Sequence, residues 1–421
     1  MTYRFITPDR YSDIQLDLNS PIGRGATARV FKFSENKNSY AAKIFTEPQK
    51  ADFAKLTKMT ELVAEKGYEF AQNHAWPVGL IQKDGKNIGF AMPLFDTKKF
   101  LSLDHFYDNI LRDRIKNKDL LALPNLGLLC ANLTEAILKF HKKNIYLVDV
   151  KPQNITVNLK SNQVVLLDCD GYSLTTPDGT HYPADLVSQD YISPEATISK
   201  LAPQKLGLAQ DQYALSVLLF QILNRGLHPF SGRNSNKSQT ANTNDEKAAA
   251  GLYPYGLLQN KLVDPHKSSL HHLWPEDLRK AFDKSFQTNN RISAEEWHKL
   301  FSNFEVKKAY ARCVKKKDDA SHIRFQKMGC MQCHIDGLQS SPLPTPKKPE
   351  PTYKMQPTAT YSHKPWQPPP QQPIPVFFKF INLLNCVLLK TPPLVITSFS
   401  LLIKSCQTLS LFLGFNNICC S

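Results

Sequence analysis

Tyr146-Leu-Val-Asp-Val-Lys-Pro-Gln-Asn154 and, further on, Val164-Val-Leu-Leu-Asp-Cys-Asp-Gly171 decide how this chain reads. The first sets Asp149, Lys151 and Asn154 at the spacing D-x-K-x-x-N, and the second runs an apolar strand into Asp168. Phosphoryl transfer needs these parts: a carboxylate to orient the attacking hydroxyl, an amide and a second carboxylate for divalent metal, and a cation against the phosphates. A polar turn between two strands would accommodate the same hexapeptide, so the decision falls to what stands upstream.

Upstream, Ile14 to Phe45 alternates as strands around Ile22-Gly-Arg-Gly-Ala-Thr-Ala-Arg-Val30 and ends in Ala41-Ala-Lys-Ile-Phe45. Gly23 and Gly25 let backbone N–H groups approach a phosphate, and Lys43 is a cation flanked by apolar residues. Ala28 stands where a third glycine would complete G-x-G-x-x-G, which stiffens the loop. Asp52 to Glu69 reads as one helix, with Leu56, Met59, Leu62 and Val63 on its apolar face. Ala75–Ile81 and Asn87–Phe95 read as strands, and Pro93 removes one backbone donor from the second.

Pro124 to His141 repeats Leu129, Leu133, Ile137 and Phe140 at helical spacing and delivers the chain to Asp149. Asp211 to Leu223 is apolar nearly all round, as in a helix buried inside a domain. A carboxylate at its start needs hydrogen bonds there, and the backbone of the Asp149 loop is the expected donor. Ser231 to Lys247 is polar without periodicity and reads as a mobile insertion.

Charge and cysteine usage constrain the surroundings. Lys and Arg number 52 against 37 Asp and Glu, which suits phosphates, nucleic acid and anionic membrane surfaces alike. The first ten residues show no apolar signal core, so the body is expected to be cytoplasmic. Nine cysteines, unevenly clustered, suit reduced thiols and a metal site better than a disulfide framework.

Taken together, residues 12–303 resemble a eukaryotic-type protein kinase domain, and most of all its bacterial branch. The resemblance rests on the order Gly23/Gly25, Lys43, Asp149/Lys151/Asn154, Asp168, Pro194-Glu195 and Asp211. It implies an α+β, two-lobed fold, with a small β-rich N-lobe over about 12–95 and a larger helical C-lobe over about 96–303. It also implies a serine/threonine kinase that uses ATP and Mg²⁺ or Mn²⁺. In that scheme Asp149 is the base or hydroxyl orienter, Lys151 stabilises the γ-phosphate, and Asn154 and Asp168 hold the metal. Gly23, Gly25 and Val30 would cover the nucleotide, Lys43 would reach its α/β-phosphates, and Met92 and Leu94, with Phe95 as neighbour, would form the hinge. Glu61 of the helix is the expected partner of Lys43, with Glu65 in reserve, and Arg291 that of Glu195. Implied partners are protein substrates bearing Ser or Thr hydroxyls and a counteracting phosphatase.

Departures fall at regulatory positions. Leu147 and Val148 replace the His-Arg pair before the catalytic aspartate, which leaves no cation for a phosphorylated activation segment. Cys169 and Asp170 replace Phe-Gly, and Asp170 becomes an alternative metal ligand. A catalytically silent nucleotide-binding scaffold stays open as a second reading.

Beyond the kinase-like part, residues 304–338 form a basic segment in which Cys313, His322, Cys330 and Cys333 offer the ligand types of tetrahedral zinc. Cys-Met-Gln-Cys-His also spells a haem attachment pattern, which would require an oxidising compartment. The lysines around this segment leave a nucleic-acid-associated regulator open as a third reading. Residues 339–375 are proline-dense and read as a disordered linker, and 376–421 as an apolar helical tail. Lys404 near its centre favours a helix lying on the anionic inner face of a membrane over one that spans it, while packing on a partner protein stays open.

Overall fold

The computed structural model describes residues 2–96, 98–107, 109–235 and 240–340, so the linker from 341 onward and the apolar tail lie outside the described residues. The N-terminal lobe is a seven-stranded sheet in the order β2-β1-β6-β7-β5-β4-β3. Its strands are β1 (Tyr3–Ile6), β2 (Tyr11–Ile14), β3 (Gly23–Arg24), β4 (Ala28–Glu35), β5 (Asn38–Phe45), β6 (Gly79–Lys83) and β7 (Lys86–Pro93), with helix α1 (Phe53–Leu62) after β5. The lobe therefore begins earlier than residue 12, because β1 pairs antiparallel with β6, Phe5 opposite Ile81.

The β4–β5 hairpin turns through Asn36 and Lys37, both at positive φ, the geometry that matches strand twist in a tight hairpin. Phe33 on β4 alternates inward and stacks on Tyr40 with centroids 5.3 Å apart, while Phe5 meets it edge-on at 5.4 Å. Gly89 on β7 is required by close approach, since a Cβ there would run into the Lys43 carbonyl of β5. The helix expected over 52–69 stops at Leu62. Ala64 N–H donates to Glu61 O and Glu65 N–H to Leu62 O, tightening the last turn, and Gly67 at φ +89° leads the chain away.

The C-terminal lobe continues through β8 (Phe100–Ser102), α2 (Asn109–Arg114), α3 (Leu123–His141), β9 (Ile145–Tyr146), β10 (Ile155–Asn158), β11 (Val164–Leu166), β12 (Ser173–Thr175) and β13 (His181–Tyr182). Helices α4 (Pro194–Ile198) and α5 (Leu208–Leu223) follow, then β14 (Gly232–Asn234), α6 (Asn244–Ala249), β15 (Val263–Pro265), α7 (Glu276–Gln287) and α8 (Ala294–Val306). Helix α5 is the axis, buried from Tyr213 to Leu223. Its Phe220 meets the rings of Tyr255, Trp274 and Phe282 at 5.1, 5.2 and 5.2 Å, and replacing it with alanine would cost about 3–5 kcal/mol.

The supposed insertion after 231 is folded where it is described. Strand β14 pairs with β15, and α6 starts at a capping box in which Thr243 and Glu246 satisfy each other's backbone donors. Residues 236–239 lie outside the description. After α8 the chain makes a short hairpin, β16 (Tyr310–Arg312) and β17 (Ile323–Phe325), and helix α9 (Met331–Ser340), which runs into the start of the expected linker.

Candidate active site

The catalytic loop is built from a carboxylate outward. Asp211, fully buried at the start of α5, accepts the Leu147 N–H through Oδ2 and the Val148 N–H through Oδ1, both at 2.7 Å. His141 Nε2, at the end of α3, lies 3.0 Å from Asp211 Oδ2. These bonds hold Val148 at φ +62°, a left-handed conformation that costs a β-branched residue about 1–3 kcal/mol. The Val148 side chain is buried with Ala184, Ala196 and Leu206, which fixes the turn from the other side. The chain is thereby bent so that Asp149 projects into the site.

Asp149 Oδ2 accepts Lys151 Nζ at 2.6 Å and Asn154 Nδ2 at 3.4 Å, and Asn154 Nδ2 also donates to the Asp149 carbonyl at 3.0 Å. Asp149 Oδ1 is buried and has no hydrogen-bond partner. An orphaned carboxylate oxygen is destabilising until a donor arrives, and a substrate hydroxyl is such a donor. Lys151 Nζ also reaches Ser188 Oγ at 3.1 Å. No spacing rule ties residues 151 and 188; only the returning activation segment brings them together, a contact that sequence spacing does not signal.

Asp168 is placed by a second set of backbone bonds. The β10–β11 hairpin pairs Ile155 with Leu166, and Leu167 N–H donates to the Asn154 carbonyl at 2.8 Å, linking the two expected metal ligands. From the N-terminal lobe, His74 Nδ1 accepts the Leu166 N–H at 3.1 Å and Ala75 N–H donates to the Leu166 carbonyl at 2.9 Å. Burial pushes His74 down to about 3, so its ring is neutral and free to accept.

Lys43 crosses the cleft. Its Nζ lies 3.3 Å from Asp168 Oδ1 and 2.9 Å from each oxygen of Asp170. Burial opposes the charge on Lys43, but the two carboxylates outweigh it and raise its pKa. The expected partner Glu61 is elsewhere: it faces solvent and pairs with Lys58 at 3.3 Å. Glu65 is exposed beyond the end of α1. The residue α1 turns inward is Lys55, buried, with Nζ donating to the Pro183 carbonyl at 3.0 Å.

Lys43, Asp149, Lys151, Asn154 and Asp168 share one cavity of about 700 Å³, together with Lys55, Asp170 and Asp185. Gly23, Gly25, Val30, Met92 and Leu94 do not line it. Val30 pairs with both Gly23 and Lys43 in the sheet, Gly25 N–H closes a turn on the Ala28 carbonyl at 2.9 Å, and Met92 pairs with Ala41. Leu94 N–H, the expected hinge donor, is taken by the Ser39 carbonyl at 3.4 Å. Arg291 meets Glu195 through two bonds of 2.6 and 2.7 Å, the pairing expected at the end of the activation segment.

The donor set suits magnesium. Asp168 is a largely exposed carboxylate, and Asn154, with Nδ2 committed to Asp149, has its Oδ1 left to face a hard cation.

A second cluster lies beyond α8. One ligand atom from each of Cys313, His322, Cys330 and Cys333 falls within 4.8 Å of every other. Cys313 and Cys333 sulfurs are 3.5 Å apart, and His322 Nδ1 lies 3.3 Å from Cys333 and 3.7 Å from Cys330. Two thiolates on one tetrahedral zinc would be roughly 3.8 Å apart, so the pocket has the size of the ion. Asp336 sits 3.3 Å from His322 Nε2 and orients the ring so that Nδ1 meets the sulfurs. Burial works against it, yet backbone donors at Lys316 and Lys315 and the neighbouring thiols bring Cys313 down to about 6. Burial and the neighbouring Cys313 and Cys330 thiols push Cys333 up to about 11.

The sequence model described as the protein kinase domain matches residues 16–308, and the chain belongs to that family. Among its relatives, Protein kinase YegI of Escherichia coli O157:H7 is 24% identical over 278 residues, 65% of this chain and 42% of that protein. YegI of strain K12 is 23% identical over 292 residues, 66% and 43% of the two chains. The chain thus spans less than half the length of these relatives. Serine/threonine-protein kinase DCLK3 of Mus musculus is 24% identical over 279 residues, 62% of this chain and 33% of that protein. Among solved structures, a rhoptry kinase from Toxoplasma gondii superposes with a TM-score of 0.50 at 12% identity, covering 73% of this chain and 83% of the other, a likeness of fold alone.

Proposed function

We propose that this protein kinase transfers the γ-phosphate of ATP to serine or threonine hydroxyls of proteins. The observation that carries the reading is the convergence of Lys43 from the N-terminal sheet with Asp168 and the Asp149–Lys151–Asn154 loop on one cavity. The vacant Asp149 Oδ1 accepts the proton of an incoming hydroxyl. As the hydroxyl oxygen bonds to the γ-phosphorus, the bond from that phosphorus to the bridging oxygen breaks, and ADP leaves with the electron pair. Lys151 offsets charge on the transferring group, and Lys43 holds the α/β-phosphates. Magnesium, held by Asp168 and Asn154, would neutralise charge on the phosphate oxygens. A serine hydroxyl, that of Ser188, fits 3.1 Å from Lys151 Nζ, which supports the serine and threonine reading. Phosphate incorporation from γ-labelled ATP tests the reading, and Asp149→Asn should lower the rate about 10²–10⁴-fold. Equal incorporation by both proteins would sink it.

The Cys₃His cluster reads as a structural zinc site in the same protein, closed by four protein ligands. For residues 376–421 the reading is a tether to the anionic inner face of a membrane, supported by their apolar composition and the excess of basic residues. Among the described residues no helix is long and apolar enough to cross a membrane. Co-sedimentation with anionic vesicles, lost on truncation at Ser340, checks the tether.

A further inference from the structure

Helix α1 has no acid to give to Lys43. Its buried face consists of Lys55, Leu56, Met59, Thr60 and Leu62. Glu61, the acid within the helix, is spent on Lys58, and Asp52 caps the helix through the Lys55 N–H at 2.9 Å. What the helix turns toward the nucleotide cavity is a cation, Lys55, and its ammonium goes to the activation segment at the Pro183 carbonyl. Lys43 finds its counter-charge on the other side of the cleft. Both oxygens of Asp170 lie 2.9 Å from its Nζ, against 3.3 Å for the nearer oxygen of Asp168. The two carboxylates also differ in exposure: the Asp170 side chain is 17% exposed and that of Asp168 62%. The shielded acid therefore grips the lysine, and the open one is left for a cation.

Resting on the kinase reading above, we propose that Asp170 is the positioning residue of Lys43, filling the role expected of an acid on α1, and that Lys55 uses the freed helix face to hold the activation segment. Two things follow. Lys43 is aimed by the same short turn that carries Asp168, so the strand lysine and the metal carboxylate are set as one unit. Movement of α1 then acts on the activation segment through Pro183 and leaves Lys43 in place. Asp170 acts through Lys43 and touches neither the hydroxyl nor the metal.

The test uses the full chain with Asp170→Asn and Asp170→Ser, two neutral replacements of different size so that misfolding of one leaves the other, beside Asp170→Glu and Glu61→Gln. Affinity for a fluorescent ATP analogue is measured without metal, and phosphotransfer is then titrated with Mg²⁺. Neutral replacements should weaken metal-free nucleotide binding about tenfold or more, the loss of one charge-assisted contact. Asp170→Glu should recover most of that loss. Glu61→Gln should bind as the parent does, and the half-saturating Mg²⁺ concentration should be the same in all. The proposal is overturned by Glu61→Gln weakening binding as much as Asp170→Asn, or by Asp170→Asn binding nucleotide normally while demanding more Mg²⁺, which would make Asp170 a metal ligand. Failure of the parent chain to bind nucleotide at all would bring down the kinase reading as well, whereas normal binding by parent and neutral variants alike removes this inference alone.

Discussion

The catalytic loop and the Cys/His hairpin hold their shapes by opposite means. Around Asp149 the protein supplies its own counter-charges: Asp211 satisfies the buried N–H groups of Leu147 and Val148, Lys43 faces two carboxylates, and Arg291 takes Glu195. Around Cys313 it gathers three thiols and an imidazole whose ligand atoms converge on each other, with little between them but hydrogen bonds to sulfur. A self-compensated network is rigid before any ligand arrives, whereas converging donors are stabilised by what binds them. The hairpin nevertheless packs on the kinase core, with Phe325 5.4 Å from Phe304, so its state is felt by the larger domain.

If the Cys/His cluster holds zinc as proposed, chelation is the harshest way to break this contrast. Structural zinc contributes about 10 kcal/mol or more in isolated finger peptides. A strong chelator should therefore release one zinc per chain and abolish hydrogen-exchange protection in β16, β17 and α9, while α3 and α5 stay protected. Uniform loss of protection would mean that the two regions are one cooperative unit, and no metal release would remove the zinc assignment. The next effect belongs to the catalytic loop. Asp211→Ala leaves the Leu147 and Val148 N–H groups buried without an acceptor, and stability should fall by about 3–5 kcal/mol. Denaturant unfolding reads this, and a change under 1 kcal/mol would show that Val148 holds its left-handed turn by packing alone.

Much of the active site was legible because phosphoryl transfer ties particular residue types to fixed local spacings. Asp149, Lys151, Asn154 and Asp168 lie on one loop and one hairpin, and Asp211 announced itself as a carboxylate heading an apolar helix. Illegible were pairings set by which side of an element faces the cleft. Lys55 adjoins Leu56 and lies on the buried face of α1, but a lysine reads as solvated, so the acid was sought at Glu61. The contact of Lys151 with Ser188 depends on a long return of the chain. The folded insertion was missed for a different reason. Thr243-Asn-Asp-Glu246 is a capping box written out in full, yet α6 is too short for any hydrophobic period to signal a helix.

Acid should separate the two regions more gently. His74 and His228, which accept or face backbone groups at Leu166 and Asp190, are pushed by burial to about 3 and about 4, well below the value of an unfolded histidine. The unfolded chain binds the extra protons first. Stability is thus complete above about pH 6.5 and declines as pH falls toward those folded values, by up to about 1.4 kcal/mol per pH unit for each histidine. In the hairpin the groups that acid would attack are the thiolates proposed to hold the metal, so acid should release it by competition for them. His74→Gln, with an amide oxygen to accept the Leu166 N–H, should flatten the melting-temperature profile between pH 6.5 and 4 and leave metal release unmoved. A profile that keeps its full slope would place the acid sensitivity outside His74, at His228 or in the hairpin.

The smallest effect sharpens the comparison at a third place, the rim where α6 meets the activation segment. Asp245, in the first turn of α6, accepts Gln189 Nε2 at 3.0 Å, one residue past Ser188. Thr243→Ala removes the cap of this six-residue helix, and helix caps are worth about 1 kcal/mol. Because so short a helix has little else to define its start, fraying should free Gln189 and loosen Ser188 while Lys43 and Asp168 keep their contacts. The expected signature is a raised KM for the hydroxyl substrate with an unchanged KM for ATP. Equal changes in both would mean that the rim and the nucleotide cavity move together, and the self-compensated network around Asp149 would then have to be extended to include α6.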